Sequence, residues 1–304
     1  MISFELTILG SNSALPSYGR FPTSQILNIG NELILIDCGE GCQMRMADYK
    51  IKRNKISTIL ISHLHGDHVY GLPGVITSFN HTNRTEPLVI YGPHGIKELL
   101  ETLFKLGEVH IGFELKIIEM KHEGVHQMAQ NKHYKISAFP VFHRIPTYGY
   151  RIEETRRQRN IMKDKLSTYQ LTIEQIKQLK EDQIINYNGR TLHPDEVCHP
   201  IPAIRSYSYC ADSLAKLDLI PFIQGSTLLY FESTYLDEMR DQAHERGHAT
   251  AKEAGQMAKA ADVKQLVIGH YSSRYKDPSP LLIEAQSEFP NTVMGYDGAR
   301  VVVE

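Results

Sequence analysis

The stretch Ser62-His63-Leu64-His65-Gly66-Asp67-His68 places three imidazoles and a carboxylate within six positions, directly after the apolar run at 55–61. On an extended segment alternate side chains share a face, so His63 and His65 are expected to chelate one cation together. Asp67 and His68 follow where the chain turns. Gly66 is expected to adopt an unusual backbone angle there, swinging the last two ligands toward a second cation a few ångströms away. A His/Asp set without cysteine leaves coordination positions open for water, as catalytic rather than structural zinc sites do, and manganese or iron would also accept these donors. Clustered histidines with nothing to bind would be costly at a buried strand end.

Four residues cannot coordinate two cations fully, so further ligands are expected at other strand ends. His143 lies just past an apolar strand in Phe139-Pro140-Val141-Phe142-His143. Asp212 ends Ser206-Tyr207-Ser208-Tyr209-Cys210-Ala211-Asp212, and His270 ends Leu266-Val267-Ile268-Gly269-His270. Each is a polar residue terminating a buried run. His81, His94, His110, His122, His126, His133, His193, His199 and His244 lack that placement and are read as surface residues.

The elements that must carry these groups follow from hydrophobic periodicity. Strands are expected at 4–9, 24–29 and 32–37, with Asn31 in a hairpin turn, then at 87–91, 206–210, 227–231 and 265–268. Helices are expected at 70–79, 95–106, 236–246, 252–260 and 280–288. Thr250-Ala251-Lys252-Glu253 fits a capping box, which places His248 on the loop before a helix. Two β-rich halves with outer helices predict an α/β fold, an αββα sandwich formed by the 304 residues as one domain.

One segment breaks the alternation. From about 153 to 202 the chain is polar, with Arg156, Arg157, Arg159, Lys163 and Lys165, a helix at 172–181 and a turn at 186–189; it reads as an inserted arm. A hydrophobic content of 41% supports a sizeable core. No apolar run approaches the roughly 20 residues of a membrane helix and no leader is evident, so a soluble, cytoplasmic protein is expected. Cys38, Cys42, Cys198 and Cys210 show no CxxC pairing and are read as reduced thiols. A net charge of −2 advertises no polyanion, which would have to be held by local patches and metals.

The set His63, His65, Asp67, His68, His143, Asp212 and His270 resembles the metallo-β-lactamase superfamily and, within it, the short form of ribonuclease Z, the endonuclease that matures tRNA 3′ ends. Supporting stretches are Leu9-Gly10-Ser11, Asp37-Cys38-Gly39-Glu40-Gly41, Gly71-Leu72-Pro73-Gly74, Tyr91-Gly92-Pro93-His94-Gly95, Gly247-His248-Ala249-Thr250-Ala251 and Gly269-His270-Tyr271-Ser272-Ser273-Arg274-Tyr275. The resemblance implies two Zn2+ per subunit: one on His63, His65 and His143, the other on Asp67, His68 and His270, with Asp212 bridging. Two such Lewis acids lower the pKa of a shared water and absorb charge at phosphorus. It also implies that Asp67 orients the nucleophile or takes its proton, that His248 protonates the leaving group with Glu232 as orienter, and that the protein is a homodimer acting on precursor tRNA. Arg156, Arg157, Arg159 and Arg274 are candidate RNA contacts.

Two departures stand out. The family's arm usually carries a Gly-Pro-rich tip, whereas residues 168–188 contain neither. The usual Gly-Asp-Thr at the bridging ligand reads Ala211-Asp212-Ser213. The leading expectation is a zinc-dependent endoribonuclease that removes the 3′ trailer of precursor tRNA, leaving a 3′-hydroxyl on the tRNA and a 5′-phosphate on the trailer. A general phosphodiesterase of small or cyclic diesters would need no arm, and a non-catalytic RNA-binding relative would be expected to lose ligands that are all present here.

Overall fold

In the computed structural model, which describes residues 3–121, 124–155 and 157–304, the strands collect into two seven-stranded sheets. The first runs Arg300–Val302, Phe4–Gly10, Ser24–Ile29, Glu32–Cys38, Ile56–Leu60, Leu88–Pro93, Leu115–Met120. The second runs Thr292–Met294, Gln265–Gly269, Leu228–Glu232, Ser206–Cys210, Tyr148–Glu154, Tyr134–Pro140, His126–Gln130. Each sheet is antiparallel across three neighbours and parallel across three. The parallel portions carry most of the site, because parallel strands deliver their carboxyl ends, and the loops that follow, to a common edge, and the antiparallel-paired Tyr134–Pro140 adds His143 to it.

Alternation along the strands explains the layering. In Glu32–Cys38, Ile34 and Ile36 face the second sheet while Leu33 and Leu35 face outward. The inter-sheet core joins Leu6, Ile8 and Leu60 to a column of buried tyrosines, Tyr150, Tyr207, Tyr209 and Tyr230. Leu33 and Leu35 meet the helices Cys42–Asp48, Leu72–His81 and Ile96–Leu106. On the other flank Leu229, Phe231 and Leu266 meet Ala251–Ala260 and Ser279–Glu288. These layers make the expected αββα sandwich. The hairpin at Gly30 and Asn31 has both residues at positive φ, 60° and 71°, as a tight two-residue turn requires.

Local differences from the expected elements have physical causes. The helix expected at 70–79 begins instead at Leu72 and is preceded by a separate turn of helix, Gly66–Val69. The strand His126–Gln130 was not foreseen because it is polar and lies at the sheet edge. The region expected as a helix at 236–246 opens with a 3-10 turn, Asp237–Met239, before Arg240–Glu245.

Between Tyr148–Glu154 and Ser206–Cys210, which pair directly, the chain leaves the sandwich. It forms the helices Lys163–Tyr169 and Ile173–Lys180, a hairpin of Ile185–Tyr187 with Arg190–Leu192, and the short helix Pro194–Val197. Leu179, Ile185, Leu192, Val197 and Cys198 give this segment a small core of its own. Its base is closed by Glu154, whose carboxylate receives Arg205 Nη2 at 2.6 Å and Nε at 3.1 Å, both groups buried. Such a bidentate pair fixes the geometry at which the segment departs. Replacing residues 158–202 by a short glycine-serine linker is therefore expected to leave a cooperatively unfolding sandwich that still binds metal, checked by circular dichroism and metal analysis. Failure of that chain to fold would mean that the segment's core belongs to the sandwich.

Candidate metal centre

The ends of six strands bring the candidate ligands to one edge of the sandwich. Ile56–Leu60 leads to His63 and His65, Tyr134–Pro140 to His143, Ser206–Cys210 to Asp212 and Gln265–Gly269 to His270, while Leu228–Glu232 ends in Glu232 itself and Glu32–Cys38 contains Asp37. His65 is the last extended residue, and Asp67 and His68 sit in the first turn of Gly66–Val69. Gly66 is not at positive φ, contrary to expectation. It permits a close approach instead: a Cβ there would lie 2.3 Å from the Tyr70 ring, which would have to shift. His270 is held at φ 62°, a strained angle for a residue with a side chain.

The spacing of the nitrogens is informative. His63 Nε2 and His65 Nδ1 are 3.0 Å apart, His65 Nδ1 and His143 Nε2 3.3 Å, and His68 Nε2 and His270 Nε2 3.3 Å. Metal–nitrogen bonds of roughly 2.0–2.1 Å arranged tetrahedrally give an edge of about 3.3 Å, so these separations match shared coordination. Asp212 divides between the two sets. Its Oδ1 lies 2.9 Å from His270 Nε2 and 3.2 Å from His68 Nε2, and its Oδ2 lies 3.5 Å from His63 Nε2 and 3.8 Å from His143 Nε2. Oδ1 is buried yet receives no hydrogen bond of acceptable angle. Asp67 Oδ2 joins the second set, 3.5 Å from His68 Nε2 and 3.6 Å from His270 Nε2. A cation in each set would satisfy these crowded donors, one held by His63, His65 and His143, the other by Asp67, His68 and His270, with Asp212 shared.

The opposite ring nitrogens fix these orientations. His68 Nδ1 donates to Asp37 Oδ2 at 2.7 Å and His143 Nδ1 donates to the Gly247 carbonyl at 2.8 Å, which leaves each Nε2 lone pair for the centre. His270 Nδ1 lies 2.8 Å from Thr234 Oγ1. The Asp67 carboxylate is steadied by the Ala14 N–H at 2.7 Å. Burial pushes His63, His65 and His143 below the ordinary imidazole range. Burial opposes charge on His68 and His270 too, but there the adjoining carboxylates win, Asp212 foremost, and His270 is raised to about 10. The carboxylates around His68 and His270 thus favour positive charge in the second set, as a cation site requires.

Glu232 and His248 form a separate pair. His248 Nδ1 lies 3.0 Å from Glu232 Oε1, and Glu232 also receives the Ser213 N–H at 2.6 Å and Thr234 Oγ1 at 2.5 Å. Burial works against charge on His248, yet the Glu232 carboxylate raises its pKa. A proton is therefore held beside the cluster on a ring that retains Nε2 for another partner. The whole opens into a cleft of about 760 Å³ whose lining includes Asp67, His248, His270, Arg144, Arg246 and Arg274.

The nine sequence-predicted metal and proton-transfer residues thus come together, and Arg274 lines the same cleft. Arg157 and Arg159 do not. Arg157 donates to the Ala203 carbonyl at 2.9 Å, and Arg159 is ion-paired with Asp182 at 2.8 Å and Asp195 at 2.5 Å, at the arm's own base. Arg156 lies outside the described residues. Asp37 was overlooked, although the rule that found Asp212, a carboxylate closing a buried strand, applies to it equally. It is fully buried, sits at φ 55°, and receives Ser62 N and Oγ at 2.7 and 2.8 Å and Tyr209 OH at 2.5 Å besides His68. Thr234, Arg144 and Arg246 carried no signal of type or spacing. Asp37→Asn is expected to weaken metal binding roughly 10–100-fold through misorientation of His68, measured by chelator competition. Unchanged affinity would show that packing alone holds the ring.

Comparison with known proteins bears on the family and the fold. The family model described as anti-Pycsar protein Apyc1 matches residues 4–192. Ribonuclease Z of Cytophaga hutchinsonii is 40% identical over 304 residues, covering 99% of this chain and 97% of that one. Ribonuclease Z of Bacteroides thetaiotaomicron is 35% identical over 304 residues, covering 100% and 96%. Among solved structures, human tRNase Z, short form (ELAC1), superposes with a TM-score of 0.73 at 23% identity over 99% of each chain. The metallo-β-lactamase fold protein YhfI of Bacillus subtilis gives 0.71 at 17% identity, over 99% of this chain and 100% of that one. With full-length identities at this level, on a metallo-β-lactamase fold, the chain belongs to the ribonuclease Z family.

Proposed function

We propose that the protein is a metal-dependent endoribonuclease that removes the 3′ trailer from precursor tRNA, using two divalent cations, zinc by the character of its ligands. The observation that carries this reading is the juxtaposition of a complete His/Asp donor set with an independently buttressed Glu232–His248 pair, in a chain whose full-length relatives are ribonucleases Z. Divalent cations held by these residues would supply Lewis acidity, stabilising charge on the phosphoryl group and activating water.

The chain's own groups do the rest. Asp67, fixed by the Ala14 N–H, is placed to orient the attacking water and accept its proton. As the bond between phosphorus and the tRNA 3′-oxygen breaks, that oxygen needs a proton, and His248 Nε2 is the group assigned to give it. Glu232 keeps the imidazole in the donating tautomer and stabilises its charge before transfer. Water's oxygen stays on phosphorus, so the trailer leaves with a 5′-phosphate and the tRNA keeps a 3′-hydroxyl. Arg144, Arg246 and Arg274 line the cleft where phosphates on either side of the scissile bond would lie.

The inserted segment is the proposed tRNA-binding arm. Since Arg157 and Arg159 are engaged within it, Lys163 and Lys177, exposed on its two helices, are better placed to meet phosphates. Homodimeric pairing, with one subunit's arm serving its partner's cleft, is part of the same reading. Among the described residues no helix is long and apolar enough to cross a membrane.

The test is His248→Ala in the metal-loaded protein. Metal content should be unchanged. Cleavage of a 3′-extended precursor tRNA should fall by roughly 10²–10⁴-fold, whereas bis(p-nitrophenyl) phosphate, whose leaving group needs no proton, should be hydrolysed nearly as before. Equal losses on both substrates would remove His248 from the leaving-group role. Robust diester hydrolysis by the unaltered protein without precursor cleavage would favour a small-diester phosphodiesterase instead.

A further inference from the structure

The lining of the cleft is divided by origin. Every arginine in it, Arg144, Arg246 and Arg274, comes from the second half of the sandwich. The first half supplies no lysine or arginine; around the ligands it contributes Leu15, Pro16, Pro22 and Tyr70, with Glu40 as its one further charged group. Leu15 is 61% exposed and Tyr70 is 70% exposed, large for apolar bodies lining a concave surface. The Tyr70 ring, though mostly exposed, touches the neighbouring turn. It lies one helical turn beyond Gly66, whose missing Cβ lets the ring edge settle against the backbone; a Cβ would stand 2.3 to 2.8 Å from its Cε2, Cδ2 and Cζ. One side of the ring is thus seated on the turn that carries Asp67 and His68, and the rest stands open to the cleft.

A single-stranded nucleic acid presents charged phosphates on one side and flat apolar bases on the other, and proteins that hold it pair cations with exposed aromatic rings. The geometry points to Tyr70 as a stacking platform for one nucleobase next to the scissile phosphate, fixing which phosphodiester enters the metal centre while the arginines of the second half hold the backbone. This rests on the tRNA-processing reading and deepens it. The stack requires the ring and not the hydroxyl, so phenylalanine should serve.

The experiment uses the metal-loaded protein and its Tyr70→Phe and Tyr70→Ala variants with a 3′-extended precursor tRNA, with bis(p-nitrophenyl) phosphate as control and cut positions mapped to the nucleotide. A series of precursors follows in which single nucleotides flanking the cut are made abasic. Tyr70→Phe should match the parent. Tyr70→Ala should lower kcat/KM on the precursor roughly 5- to 100-fold, the range of one base–aromatic stack, and blur the cut over neighbouring positions without changing diester hydrolysis. One abasic position should reproduce that loss and add nothing to it in Tyr70→Ala. If the parent cuts and both variants cut equally well at the same position, the stacking role is overturned while the function stands. Equal losses on the diester, or a change of oligomeric state in Tyr70→Ala by size-exclusion chromatography, would overturn it in favour of a structural or interfacial role. A parent that leaves the precursor uncut takes both readings down.

Discussion

Asp212, itself buried, stands between two groups of imidazoles at the floor of the cleft, and the rest of the architecture answers to that crowding. Its two oxygens each lie near two histidine nitrogens, and one of them is buried without a suitable hydrogen-bond donor. Buried acceptors left unpaired cost about 1–3 kcal/mol each, so such a cluster persists only if something positive occupies it. The carboxylates favour positive charge at His68 and His270, and divalent cations would meet the need of the whole cluster. The Asp37 carboxylate, the Gly247 carbonyl and Thr234 each fix a ring from behind, so the donors are arranged before any cation arrives.

The same hydrogen-bond network couples binding to proton transfer. Glu232 touches His248 directly, the backbone next to Asp212 through Ser213 N, and His270 through Thr234. One buried carboxylate therefore positions the proton donor relative to both the shared ligand and the second cation set. The two sheets make this possible by bringing the ends of strands from both halves to a single edge. Ligands come from each half, whereas the arginines in the cleft come only from the second.

The chemistry was more legible in the sequence than its supports. His63, His65, Asp67 and His68 announce themselves by density, and His143, Asp212 and His270 by ending buried runs. Sheet strands with regular apolar alternation, such as Phe4–Gly10 and Glu32–Cys38, were equally plain. The polar edge strand His126–Gln130 was not, because periodicity cannot register a strand with little to bury. Gly66 was misread because a glycine's reason, a positive φ or a close neighbour, depends on a ring four residues away. The arm showed its polarity but hid its fold, since its apolar residues, Leu179, Ile185, Leu192 and Val197, are too sparse to signal a core until the hairpin and helices bring them together. Charge likewise said nothing about Arg159 being engaged by Asp182 and Asp195, distant in sequence, or about Arg157 being held by Glu154 and the Ala203 carbonyl.

The most direct measurement is the reaction of the metal-loaded protein with a 3′-extended precursor tRNA, with the cut located to the nucleotide and both new ends identified chemically, before and after metal removal by a chelator. A single cut just beyond the acceptor stem, giving a 3′-hydroxyl on the tRNA and a 5′-phosphate on the trailer and vanishing with the metal, is the predicted result. Cleavage that survives complete metal removal, or ends of the opposite polarity, would contradict the assignment of the metal centre and of His248 alike.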